Sequence, residues 1–199
     1  MSLTILPGLE VASCSLKELL LAETTPIKNS TISGVLAIPE YQRPYVWGEK
    51  EILRLLRDIS LHQCNADYYL GSLILHRIGG KLNIIDGQQR ITTLLIMQQF
   101  QQQQLCMDIV YEAPVSIARI EKNIEILRRK IASDEITLKQ IDLDRINVTL
   151  VVTDSEDLAY TFFETQNTGG KRLSGPDIIK SHHLRAIRPV ALMNRKAVQ

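Results

Sequence analysis

Residues 83–95 read N-I-I-D-G-Q-Q-R-I-T-T-L-L, which sets an aspartate, a glycine, two glutamines and an arginine between two apolar runs. Leu82, Ile84 and Ile85 have the pattern of a short buried strand, and Ile91, Leu94, Leu95 and Ile96 recur at helical spacing. The expected element is strand, tight turn, helix. A corner of this kind exposes the unpaired N–H groups and partial positive charge of a helix's first turn, which attract anions, phosphate above all. Gly87 is expected to let a phosphate approach the backbone, and Arg90, one turn along, to fork two hydrogen bonds onto its oxygens. Asp86 would repel a bare phosphate, so it points to Mg2+, a ribose hydroxyl, an oriented water, or the capping of its own helix. Gln88 and Gln89 do not titrate and read as binders or orienters. Thr92 and Thr93 add hydroxyls or bond back to helix carbonyls. The plainer alternative is an Asp-Gly corner capped by its aspartate, with the arginine reaching to solvent.

Upstream of this corner, Y-Y-L-G-S-L-I-L-H-R and K-L-N-I-I-D are strand-like runs joined across Gly79-Gly80, a pair suited to a tight hairpin. G-V-L-A-I-P (34–39) predicts a short strand ended by proline, followed by the loop E-Y-Q-R-P-Y-V-W. Ile52, Leu55, Leu56 and Ile59 then give a helix its apolar face. Earlier still, S-L-K-E predicts a helix capped at Ser15 with Glu18 reciprocating, ending near Thr24. Downstream, the tract Q-Q-F-Q-Q-Q-Q reads as a solvated helix end. From Pro114, Ile117, Ile120, Ile124, Leu127 and Ile131 mark a long amphipathic helix. The expected division is therefore a core over 1–113 and a helix-rich extension over 114–199. Within the latter, R-I-N-V-T-L-V-V predicts a strand and S-E-D-L-A-Y-T-F-F-E-T-Q-N a helix closed by Gly169-Gly170, with one more helix starting at Ser174.

The 199 residues, 45% hydrophobic and 23% charged, are an ordinary globular composition, which excludes disorder as the organising principle. No apolar run is long enough to span a bilayer and the N-terminus lacks secretory-signal character, so a cytoplasmic location is expected. Cys14, Cys64 and Cys106 are odd in number and far apart, reading as free, mostly buried thiols. The net charge of +1 gives no global reason to expect nucleic acid. Charge is uneven, however: between Lys171 and Gln199 seven cations face Asp177 alone, an end suited to DNA or to an acidic partner.

Two further clusters carry candidate chemistry. In Y-Q-R-P-Y-V-W (41–47) the chain's only tryptophan stands beside Arg43; such a loop stacks on bases and meets phosphate, or simply anchors an aromatic side chain. In F-F-E-T-Q-N-T-G-G-K-R-L-S, Asn167, Gly169, Gly170 and Lys171 form either a donor-presenting turn or a plain helix C-cap. Pro176-Asp177 with Lys180 mimics a scrap of a nuclease signature but lies at a predicted helix start, and His182-His183 point about 100° apart on a helix, too far for one ion.

The order of these blocks, I-P-E-Y-Q-R-P-Y-V-W, Y-Y-L-G-S-L-I-L, I-I-D-G-Q-Q-R-I-T-T-L-L and F-F-E-T-Q-N-T-G-G-K-R-L-S-G-P-D-I-I-K, resembles one family over about Leu16 to Leu184. It is the ParB-like domain of unknown function at the N-terminus of GmrSD-type, modification-dependent restriction proteins and related phage-defence proteins. The resemblance implies an α+β fold, with a ParB/sulfiredoxin-like mixed α/β core followed by a helical subdomain. It also implies an NTP-binding or NTP-hydrolysing pocket and recognition of modified foreign DNA; an NTP with Mg2+ is the cofactor expected here. Carried over residue by residue, it puts Asp86, Gly87, Gln88, Gln89 and Arg90 in the nucleotide pocket with Gln42 and Arg43 facing them, and Asn167 and Lys171 as further contacts. Asp86, Arg90 and Arg43 are the expected catalytic groups. Full-length members often carry a C-terminal His-Me finger nuclease domain, to which nothing in these 199 residues is similar. Cleavage of DNA by this chain alone is accordingly not expected. The rival readings are a ParB-like DNA- or protein-binding adaptor that uses the basic end, and a ParB-like nuclease.

Overall fold

The structure, a computed structural model, describes residues 8–23, 25–39, 42–62, 66–100, 111, 113–136 and 141–168, with side chains as far as 165. Five strands form one mixed sheet: β1 (Leu9–Ser15), β2 (Val35–Ala37), β3 (Tyr68–Ile78), β4 (Lys81–Asp86) and β5 (Ile146–Thr153), in the spatial order β1-β5-β3-β4-β2. β1–β5 and β3–β4 are antiparallel, whereas β3–β5 and β2–β4 are parallel. With α1 (Leu16–Leu20), α2 (Glu49–His62), α3 (Gln88–Gln99), α4 (Pro114–Ala132) and α5 (Glu156–Thr168), the architecture is α+β.

Alternation along the strands separates two faces. Ile146, Val148, Leu150 and Val152 of β5, Leu73 and Leu75 of β3, and Leu82 and Ile84 of β4 are all fully buried on one face. They meet Leu16 and Leu19 of α1, Ile52 and Ile59 of α2, Ile91 and Leu94 of α3, and Leu127 of α4 in the main core. On the opposite face Ile74 and Ile85 pack with Ala159 and Tyr160 of α5. Leu70 and Leu73 share the main core although three residues apart, because the β3–β5 register slips between Tyr69 and Gly71. The extra residue resets the alternation, and Gly71 at φ +112° provides the backbone for it.

Local signals explain the elements. Ser15 and Glu18 form the expected capping box on α1. The buried residues of α2 are Ile52, Leu55, Leu56 and Ile59, as its spacing predicts. The hairpin turn at Gly79 and Gly80 uses positive φ at both residues. Strand β1, on L-E-V-A-S-C-S, had no counterpart in the periodicity reading; its only buried residue is Cys14, and its ladder with β5 defines it. Two expectations are corrected. On α4, Leu127 is buried and Ile120 and Ile124 pack half-buried on the core as the spacing predicts, but Ile117 is exposed, and the buried face also carries the polar Ser116 and Asn123, which bond to Tyr45 and Trp47. In the glutamine tract Gln98 lies at 2% exposure, its amide turned toward the Ile141 carbonyl, while Gln99 is exposed as expected and residues 101–104 lie outside the described residues. The expected division at 113/114 falls between α3 and α4, while β5 from beyond it runs inside the sheet between β1 and β3.

Candidate functional site

The corner forms as the sequence demands: β4 ends at Asp86, Gly87 is the N-cap of α3, and Gln88 is its first residue. Gly87 sits at φ +99°, and a Cβ there would come within 2.1 Å of Leu73 Cδ2. Backbone conformation and packing therefore both require glycine here, independent of any ligand. Asp86 does not cap α3, which has no side-chain cap at all. The Ile91 N–H closes the first helical bond on the Gly87 carbonyl, so the N–H groups of Gln88, Gln89 and Arg90 precede the ladder. The capped-corner alternative is thus not what this chain builds.

Asp86 Oδ2 instead accepts from Arg90 Nη2 at 3.1 Å. The same guanidinium donates to the Leu70 carbonyl (3.0 Å) and the Ser72 carbonyl (2.8 Å), the two that flank Gly71. It fills the space that a Gly71 Cβ would need, which lies 2.4 Å from Arg90 Nη1. Arg90 therefore spends its planar fork on the bulge of β3 and on the end of β4.

The two glutamines diverge. Gln89 is buried at 4% exposure and clamps the facing loop: its Oε1 accepts from the N–H groups of Val46 (2.9 Å) and Trp47 (3.2 Å), and its Nε2 donates to the Pro44 carbonyl (3.1 Å). Gln88, equally buried, has an Oε1 with no hydrogen-bond partner among the described residues. From the loop side, Gln42 Nε2 donates to the carbonyls of Ile84 (3.0 Å) and Ile85 (2.8 Å), fixing the loop to the last turns of β4. Arg43 is exposed and has no ion pair or side-chain hydrogen bond among the described residues.

Beneath the loop is a polar cluster for which periodicity gave no signal. Tyr45 is fully buried; its hydroxyl shares a hydrogen bond with Thr93 Oγ1 (2.8 Å) and accepts from Asn123 Nδ2 (3.2 Å). Burial pushes its phenol above the ordinary tyrosine range. Asn123 also donates to the Trp47 carbonyl (2.8 Å), and the Tyr45 N–H donates to Ser116 Oγ (2.9 Å). Thr93 bonds back to the Gln89 carbonyl, and Thr92 shares a hydrogen bond with the Tyr111 hydroxyl. Trp47 packs half-buried on the core, the anchoring alternative, whereas Tyr45 is the deeper plug. The only sequence signal was polar residues, Ser116 and Asn123, interrupting an apolar helix.

The structure thus brings together Gln42, Asp86, Gly87, Gln88, Gln89 and Arg90, with Arg43 next to Gln42. Asn167 lies in α5 but its side chain is outside the described set; Tyr41, Gly169, Gly170, Lys171, the basic end, Pro176-Asp177 and His182-His183 are also outside the described residues. So are Cys64 and Cys106, while Cys14 is a buried free thiol pushed up to about 12 by desolvation. Among the described residues no three His, Cys, Asp or Glu side chains converge as a metal site, and no helix is long and apolar enough to cross a membrane.

Residues 24–184 match the family model described as the N-terminal domain of the GmrSD restriction endonuclease, a span holding the corner, the facing loop and α5. No curated protein matches the chain.

Proposed function

Because the chain belongs to the family of GmrSD restriction endonuclease N-terminal domains, we propose that it is the nucleotide-binding sensor of a restriction or phage-defence protein acting on modified foreign DNA. Its nucleoside triphosphate binds at the β4–α3 corner. The observation that carries this reading is the start of α3: a twelve-residue helix with no side-chain cap, whose first residue, Gln88, is buried with an unpaired amide oxygen. An uncapped N-terminus offers N–H donors and positive potential to phosphate. A buried polar atom left without a partner costs about 1–3 kcal/mol, a cost that a ligand donor such as a ribose hydroxyl or a metal-bound water removes.

The residues present fit Mg2+ arriving with the nucleotide. Asp86 supplies one hard carboxylate, and Mg2+ is commonly held by one or two carboxylates together with substrate phosphates. When bound, the ion would neutralise charge on the phosphates and favour their transfer to water. The chain's own residues do the rest. Arg90 orients Asp86, Gln89 and Gln42 hold the loop against the corner, and that loop presents Arg43 at its edge.

Isothermal titration calorimetry of wild type with ATP, GTP, CTP and UTP, each with Mg2+, tests the proposal, with phosphate release measured in parallel. Saturable binding of at least one triphosphate, weakened in Gln88→Ala at unchanged thermal stability, is expected. Absence of binding to all four overturns it.

A further inference from the structure

The two arginines expected at this site are in opposite electrostatic situations. Arg90 is committed: three hydrogen bonds tie it to Leu70, Ser72 and Asp86, and a Cβ on Gly71 would collide with it. Turning its guanidinium to a phosphate would break its bonds to two strand carbonyls at a bulge and to one carboxylate, all partly buried. Arg43 is uncommitted. It is exposed, with no acidic partner among the described residues, so it meets an incoming anion without breaking anything. Its backbone is nevertheless fixed. On one side Gln42 grips the carbonyls of Ile84 and Ile85, immediately before Asp86; on the other, Gln89 grips Pro44, Val46 and Trp47.

From this we infer that the phosphate-contacting arginine of the site is Arg43, carried on a loop that the motif's own glutamine holds in place, and that Arg90 belongs to the frame rather than to the ligand. The inference rests on the nucleotide reading above and gives it a division of labour. Asp86, Gln89 and Arg90 build the corner, while Arg43, Gln88 and the free N–H groups of α3 face the anion. An exposed, pre-placed cation with no acidic partner among the described residues has donors to offer a triphosphate, whereas a cation already paired with Asp86 brings little net charge.

The test uses the whole chain, with ATP, GTP and inorganic tripolyphosphate as probes, comparing Arg43→Ala, Arg43→Lys, Arg90→Lys and the exposed Arg57→Ala. Arg43→Ala is expected to weaken tripolyphosphate and nucleotide binding about 10- to 100-fold, the worth of a charge-assisted pair, with an unchanged melting temperature. Arg43→Lys should recover part of that loss, and Arg57→Ala should bind within about threefold of wild type. Arg90→Lys, which loses the planar fork that ties α3 to the β3 bulge, is expected to lower the melting temperature clearly and, measured where it is still folded and without Mg2+, to lose less affinity for tripolyphosphate than Arg43→Ala does. Arg43→Ala binding as wild type does, or Arg90→Lys losing affinity at unchanged stability, overturns the inference while leaving the nucleotide reading standing. Wild type that binds none of the probes overturns the nucleotide reading itself.

Discussion

Replacing Gln89 by alanine should unfasten the loop over 42–48 while leaving the sheet intact. In the native chain one buried amide meets three backbone groups: the N–H of Val46 and of Trp47, and the carbonyl of Pro44. Stranding a buried backbone group costs about 1–3 kcal/mol, and water reaches the outer edge of this loop, where Val46 is 53% exposed. The expected net loss is about 3–5 kcal/mol, which at roughly 2–4 °C per kcal/mol for a chain of this size lowers the melting temperature by about 10 °C. The assay has an internal reporter, because Trp47 is the only tryptophan and its N–H is one of the three groups released. Urea unfolding followed by far-ultraviolet circular dichroism gives the global loss. Tryptophan emission of the folded variant should shift to the red, and amide exchange in a peptide spanning 42–48 should accelerate before β3 and β5 exchange. Gln89→Glu keeps an acceptor for both N–H groups but buries a carboxylate against the Pro44 carbonyl, so its loss should be larger at neutral pH than in acid, where the protonated carboxyl can donate to that carbonyl. A Gln89→Ala variant destabilised by less than about 1 kcal/mol, with native tryptophan emission, would show that the clamp is incidental.

Gly71→Ala and Gly87→Ala should each destabilise the fold by more than about 2 kcal/mol in urea titrations, because both sit at positive φ and both lack room for a Cβ, against Arg90 and Leu73 respectively. Tyr45→Phe removes the hydroxyl shared with Thr93 and Asn123 and should cost about 1–2 kcal/mol; a double-mutant cycle with Thr93→Val should give non-additive losses, and additivity would deny the coupling. Asp154 is held below the ordinary carboxylate range chiefly by the hydrogen bond from Arg77, so its stabilisation is present above the unfolded value of about 3.9 and is lost as pH falls through its folded value. The stability gap between wild type and Arg77→Gln should therefore be widest near neutrality and shrink below about pH 4 in unfolding experiments; a gap independent of pH would contradict it.

What the sequence made legible was what hydrophobic spacing and short-range chemistry determine. The face of α2, the Gly79-Gly80 hairpin, the capping box at Ser15 and the strand–turn–helix at Asp86 all follow from contacts within a few residues. The corner's residues were also identifiable as a set, since D-G-Q-Q-R is too polar to be accidental between two buried runs. The partners were not legible. That Gln89 holds Pro44, Val46 and Trp47, that Arg90 reaches back to Leu70 and Ser72, and that Asn123 reaches Tyr45 are contacts between distant stretches, fixed by how the elements stack. One signal was available: an isolated glycine inside the strand-like run Y-Y-L-G-S-L marks a bulge or a close approach, and Gly71 is both. β1 was invisible for the converse reason, as an edge strand with one buried residue carries almost no periodic signal.

The placement of β5 has a consequence for how the chain is made. The N-terminal strand finds its sheet neighbour only when Leu9 can align with Thr153, and the inner margin of β3 waits for the same segment. On the ribosome, the hairpin of β3 and β4 with α3 behind it is complete long before that segment emerges, leaving a half-sheet with an unfilled slot. Closing so distant a pair is slow, and an open strand margin invites mispairing with a neighbouring nascent chain. Synthesis at lower temperature, or with chaperones that shield such margins, should raise the yield of native protein more than any change to the surface of the finished fold.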